Sequence, residues 1–190
     1  MELIYNRIFL KHKTSKHPEC PERLAYFDKN IKEVKLENEE KYLDLIYDKS
    51  YIELIKNASK NEANLDPDTY ANKYSYESAC YSAASAIKAS QENNFSLGRP
   101  PGHHATKNKA MGFCLFNNIA IAAQKLVSEG KKVFIMDIDG HHGNGTQDIF
   151  YDADKVLYLS AHQFPAYPGT GWLEEIGNEK GRGFTINVPM

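Results

Sequence analysis

Cysteine is scarce: Cys20, Cys80 and Cys114 are the only three in 190 residues, and no two form a C-x-x-C pair. Neither a disulfide framework nor a cysteine zinc site is indicated, and a reducing compartment fits best. Positive charge is not in excess, since 23 Lys and Arg stand against 25 Asp and Glu for a formal net charge of −2. With the lysines scattered, no nucleic-acid partner is expected. No apolar run reaches membrane length, and Glu2, Arg7 and Lys11 interrupt the stretch where a signal peptide needs an apolar core. The expectation is a cytoplasmic protein with no membrane association. Internal repeats and low-complexity linkers are also missing.

What the chain does have is enough apolar material for a core, with 42% hydrophobic against 25% charged residues. Residues 1–190 read as one domain. "LIYN" reads as a short strand, followed by a loop through "HKTSKHPECP"; Pro21 opens a helix over "ERLAYFDKNIKEV", and "SYIELIKNA" forms another. "SYESACYSAASAIKASQ" is a helix with a small-residue face at Ala79, Ala83 and Ala86. "NFSLGRPPGHHA" is a strand entering a Pro/Gly loop, and "FNNIAIAAQKLVSEG" is a helix that Gly130 ends. "KKVFIMDID" and "KVLYLSAH" read as buried strands around a short helix, "GTQDIFYD", and "GRGFTINVPM" as a last strand. That order makes a parallel α/β sheet, whose ligand sites lie at the carboxyl ends of the strands. Because an apolar parallel strand needs cover on both faces, the domain reads as incomplete at its C-terminus.

Histidine is concentrated: five of seven lie between positions 103 and 162, and two clusters follow strands. In "DIDGHHGNGT", period-two alternation sends Asp137, Asp139 and His141 to one side and His142 to the other. Asp139 and His141 are both good ligands for a divalent ion, although Asn144 also suits a helix N-cap. "RPPGHHA" brings His103 and His104 on a stiffened loop, suited to proton transfer beside a metal-bound water.

These stretches together resemble the histone deacetylase family. The resemblance runs in order through "HPECPERL", "DTY", "RPPGHHA", "GFCLFNN", "DIDGHHGNGTQDIFYD", "SAHQFPAYPGTG" and "INVP". Asn144, where other branches carry Asp, is similar to the class II and bacterial members, among them acetylpolyamine amidohydrolases. The resemblance implies a three-layer arginase/deacetylase-like fold, and metal ligation by Asp139 and His141 with a third ligand beyond the chain end. The metal would be Zn2+, or another divalent ion such as Fe2+. It also implies catalytic roles for His103 and His104, with Asp137 behind the first and Asn144 behind the second. A carboxylate favours an imidazolium more than an amide does, so His104 is the expected general base. Substrate-binding positions would be Asp68, Gly112, Phe113 and Tyr167, the last standing where Phe is commoner. A structural K+ would take Asp137 and Ser160, a second cation would sit on backbone near Phe150, Ala153 and Val156, and Arg23 would line an internal cavity. The family's transition-state tyrosine matches no residue here, and Asp148 and Asp152 should face away from the site.

The implied reaction is hydrolysis of acetyl-lysine or an acetylated polyamine to acetate and free amine. Two rivals remain at this point. An arginase-like ureohydrolase needs more clustered aspartates than "DIDGHHGN" offers, and an acyl-amine binding module would hold such groups without cleaving them.

Overall fold

The computed structural model describes residues 1–14, 17–38 and 40–190; Ser15 and Lys16 of the expected first loop lie outside the described residues. Along the chain come β1 (Leu3–Ile4), α1 (Ala25–Asn30), α2 (Lys49–Asn61), the hairpin β2 (Asn64–Asp66) and β3 (Thr69–Tyr70), and α3 (Ser75–Glu92). They are followed by β4 (Phe95–Ser96), α4 (Asn118–Ser128), β5 (Val133–Asp137), α5 (Asn144–Phe150), β6 (Val156–His162) and β7 (Thr185–Pro189).

Strands β5, β6 and β7 form a parallel sheet in that order, with Asp137 opposite Ser160 and Ser160 opposite Asn187. Alternation along β6 buries Val156, Tyr158, Ser160 and His162 on one face. On that face Ala120 and Ala123 of α4 and Ile149 and Phe150 of α5 pack against Ile135, Val156 and Tyr158. The opposite face is open: Phe134 is 57% and Met136 61% exposed, and Ile186 and Val188 are exposed beside them. The expected buried strand "KKVFIMDID" is therefore buried on one side only, and it ends at Asp137, leaving Ile138 exposed. Helices lie against a single face of this sheet, so the second covering layer of a three-layer fold is not seen among the described residues.

The N-terminal half folds around α3. Its buried Ala79, Ala83, Ser78, Ser82 and Ser85 present little bulk, which lets α4 lie close against it. Strand β1 pairs with β4 in a separate two-stranded parallel sheet rather than joining the main one. The helix expected over residues 21–34 is shorter: a 3-10 turn covers Pro21–Leu24 and α1 stops at Asn30. Beyond it the chain pairs with the N-terminus, Val34 N donating to Tyr5 O (2.8 Å) and Asn6 Nδ2 to Val34 O (3.0 Å). Asn117 caps α4 by accepting from Ala120 N at 3.1 Å, and its amide donates to Thr146 Oγ1 at 3.1 Å, tying α4 to α5.

Candidate active site

The loop from Arg99 to Ala105 leaves β4 and crosses the buried side of the fold. Arg99, buried, donates to both carboxylate oxygens of Glu19 and to the carbonyls of Phe9 and His12. Pro100 O accepts from Ser82 Oγ and from Asn118 Nδ2, each at 3.0 Å, and His103 O accepts from Thr146 N at 3.1 Å. Helices α3, α4 and α5 and the N-terminal segment thus fix where the two histidines sit. Arg23, expected inside a cavity, is exposed on the turn before α1; the buried guanidinium is Arg99.

His103 and His104 lie ring to ring, centroids 4.0 Å apart. His103 Nδ1 donates to Asp137 Oδ2 at 3.0 Å, and Tyr158 Oη donates to the same oxygen at 3.1 Å. His104 Nδ1 lies 2.8 Å from Asn144 Oδ1. Because Asn144 Nδ2 is turned to Met111 Sδ, Oδ1 accepts and His104 Nδ1 donates, leaving Nε2 with its lone pair. Asn144 is the first residue of α5 and makes no cap bond, so the helix-cap reading of that residue does not hold. Burial, and then the charge of His103, push His104 down to about 4. Burial alone would raise Asp137, but the bond to His103 and its charge outweigh it and hold the carboxyl below its ordinary value.

After Asp137 the strand gives way to a turn that its own carboxylates build. Asp137 Oδ1 accepts from Asp139 N at 3.1 Å, and Asp139 Oδ1 from His141 N at 2.8 Å. The turn leaves Asp139 and His141 outward and His142 buried, the division expected from alternation. Asp139 Oδ1 and His141 Nδ1 are 3.3 Å apart, with both side chains about half exposed. That separation is about the ligand-to-ligand edge of a tetrahedron with bonds of about 2.0 Å, so carboxylate and imidazole suit two corners of a zinc site. Among the described residues no group of three such side chains comes together, so the set falls one ligand short. Asp148 and Asp152 are exposed, away from it.

Tyr167 closes one side, its ring 5.1 Å from that of His104 and 6.1 Å from that of His141. Burial and the neighbouring Asp66, Cys114 and Asp68 push the phenol up to about 12. Gly112 lies flat against His104: its φ is +56°, and a Cβ there would come within 2.5 Å of the imidazole Cδ2. Phe113 follows, its N–H donating to Thr69 Oγ1 (3.1 Å) and its ring edge-on to His17 (4.5 Å). Asp68 is exposed at the β2–β3 turn, its N–H donating to Asp66 Oδ1. It and Phe113 border a cavity of about 870 Å³ that His103 and His104 do not line. A separate hollow of about 320 Å³ is lined by His103, Asp137 and Asp139.

Ser160 stands beside Asp137 in register, 2.9 Å from His162 Nδ1. The oxygens that the resemblance assigns to K+ are thus already engaged within the protein. Sequence reasoning missed Tyr158, which braces Asp137, and a polar set behind the site: buried His142, Gln147 and Asn187, with Thr170 and Glu175. For Tyr158 a signal existed, because it shares the inward parity of Ser160 and His162.

Two differently partnered histidines, facing a carboxylate and an imidazole, thus gather at the end of a parallel sheet in an α/β protein. The comparisons narrow that class: the family model described as "Histone deacetylase domain" matches residues 17–190, and the chain belongs to the histone deacetylase family. It is 38% identical over 209 residues to the "Probable deacetylase" of Archaeoglobus fulgidus, covering 99% of this chain and 58% of that protein. It is 35% identical to "Histone deacetylase 5" of Arabidopsis thaliana over 98% of this chain and 34% of that one. Among solved structures, the HDA15 HD domain superposes with a TM-score of 0.91 at 35% identity, over 99% of this chain and 61% of that one. A histone deacetylase homolog from Aquifex aeolicus gives 0.86 at 28% identity, over 100% and 59%. The arginase/deacetylase-like fold is thereby established, over a chain that spans about three fifths or less of these relatives. No helix among the described residues is long and apolar enough to cross a membrane.

Proposed function

We propose that this chain carries the acid–base half of a metal-dependent deacetylase, which hydrolyses an acetyl-amide to acetate and a free amine. The observation that supports this most is the unequal pairing of two adjacent histidines, His103 on a carboxylate and His104 on an amide, 6.1 Å in ring distance from His141. His104 is neutral at pH 7, and its Nε2 is free to take a proton from an attacking water and return it to the departing amine. Asp137, itself held by Tyr158 and Asp139 N, keeps the His103 ring oriented with Nδ1–H directed at the carboxylate.

A divalent ion, Zn2+ or Fe2+, held by Asp139, His141 and a ligand from outside these residues, would supply charge to polarise the acetyl carbonyl and acidify water. A potassium ion near Asp137 and Ser160 would share oxygens already bonded, and no step depends on it. The substrate we favour is acetyl-lysine in a protein, because relatives across 34% to 61% of whose length this chain aligns include named histone deacetylases. Acetylated polyamine is the competing substrate. Gly112, Phe113 and Tyr167 would flank its thin aliphatic stem, and Asp68 would meet the substrate backbone at the rim.

The test is acetate release from an acetyl-lysine peptide and from acetylspermidine, with added zinc and with chelator. Zinc-dependent release, abolished in His104→Ala with zinc still bound, supports the reading. Undiminished release by that variant overturns the assigned base, and zinc occupancy with no release favours the acyl-amine binding module.

A further inference from the structure

Behind the site, on the far side of the turn that carries His141, lies a polar chain, buried at His142, Gln147 and Asn187, that the acid–base reading does not use. His142, 1% exposed, has Thr170 Oγ1 2.8 Å from Nδ1 and Gln147 Oε1 3.1 Å from Nε2. Gln147 Nε2 donates to Glu175 Oε2 at 2.5 Å, and Asn187 Nδ2 donates to Gln147 Oε1 at 2.8 Å. Glu175 Oε1 accepts from the N–H groups of Gly171 and Trp172 at 2.9 and 3.0 Å. A carboxylate only accepts, so Glu175 dictates the rest: Gln147 turns its NH2 to Glu175 and its oxygen to His142, whose Nε2–H must donate. Nδ1 then carries the lone pair, and Thr170 Oγ–H donates to it. Next to this chain, His162 Nε2 donates to Gly171 O at 2.9 Å. Gly171 has φ +91° and lies so close that a Cβ would come within 2.5 Å of His162 Nε2 and 2.6 Å of His142 Cγ.

The bonds of His142 to Thr170, Gln147 to Glu175 and His162 to Gly171 all end on the segment 163–175, which carries Tyr167 to within 5.1 Å of the His104 ring. We infer that His142 is a positioning residue: with Gln147 and Glu175 it clamps the 163–175 loop, and so sets Tyr167 against His104. Adjacent residues of one turn then do complementary work. His141 faces the open site, while His142 reaches inward and holds the site's opposite wall. The inference rests on the reading of Tyr167 as a wall of the deacetylase site, but its test does not require turnover.

The chain's single tryptophan, Trp172, lies in this loop, its ring 4.6 Å from that of Phe164. Two variants cut the clamp from opposite ends. His142→Phe keeps an aromatic ring without its nitrogens, and Thr170→Val removes the hydroxyl at an exposed position where folding is not at stake. In either variant, amide exchange at Gly171 and Trp172 should rise by about tenfold or more, and Trp172 anisotropy should fall, while exchange along β5 and β6 stays unchanged. The double variant should do no more than His142→Phe alone, since that change already cuts the bond that Thr170→Val removes. His142→Asn, which can still accept from Thr170, should restore much of the protection. Unchanged exchange at Gly171 and Trp172 in Thr170→Val overturns the clamp. Failure to release acetate leaves it standing and counts only against the deacetylase reading.

Discussion

The two halves of the candidate site are built differently. His103 and His104 sit on a loop anchored by Arg99, Ser82, Asn118 and Thr146, over a buried carboxylate and a buried helix start. Asp139 and His141 sit on a turn held by its own carboxylates, each side chain about half in solvent. The fold has already met the cost of ordering His103 and His104, whereas Asp139 and His141 keep the exposure that the proposed metal and third ligand would remove. Preorganisation here belongs to the histidine pair, not to Asp139 and His141.

The largest expected separation of the halves is in acid. Burial first, and neighbouring positive charge after it, hold His104 and His142 near 4; His12 is also held near 4, where burial outweighs the opposing pull of Glu19. Groups depressed in this way contribute stability that is complete above the unfolded value of about 6.5 and is lost as pH falls toward 4. Each can steepen the loss by up to about 1.4 kcal/mol per pH unit, so urea unfolding at pH 7 and pH 4.5 should differ by several kcal/mol. A flat profile would show that the base half is not buried in solution.

Next in size is Arg99→Ala, which leaves Glu19 buried without its partner and should cost about 3–5 kcal/mol in urea unfolding. Gly112→Ala follows, since it combines a positive φ with a Cβ pressed into His104; about 1–3 kcal/mol and a fall in any acetate release are expected, by unfolding and assay. Smallest is His141→Ala, within about 0.5 kcal/mol of the parent in stability, because the ring is exposed and packs on little. Its effect should appear in zinc affinity by calorimetry instead. A His141→Ala variant that unfolds easily would erase the contrast.

Legibility in the sequence follows the same division. Alternation along "KVLYLSAH" and the apolar run before Asp137 pointed to β5 and β6, because strand formation depends on neighbours in the chain. Expectations failed where distant partners decide. Residues 31–34 leave the helix to pair with Tyr5 and Asn6. The buried arginine is Arg99 because Glu19, eighty positions earlier, meets it. Asn144 forgoes its capping bond for His104. The His142 to Glu175 chain left no local trace, since Gln147, Thr170 and Asn187 are ordinary polar residues until the sheet and the 163–175 loop assemble around them.

The bare side of the β5–β6–β7 sheet has a practical outcome. Phe134, Met136, Ile186 and Val188 give the isolated 190-residue polypeptide an adhesive flank, next to strand edges with unpaired backbone groups. Purified alone, it should bind hydrophobic dyes, retain chaperones and self-associate as its concentration rises. Lysine at Met136 should curb that stickiness without disturbing a single histidine.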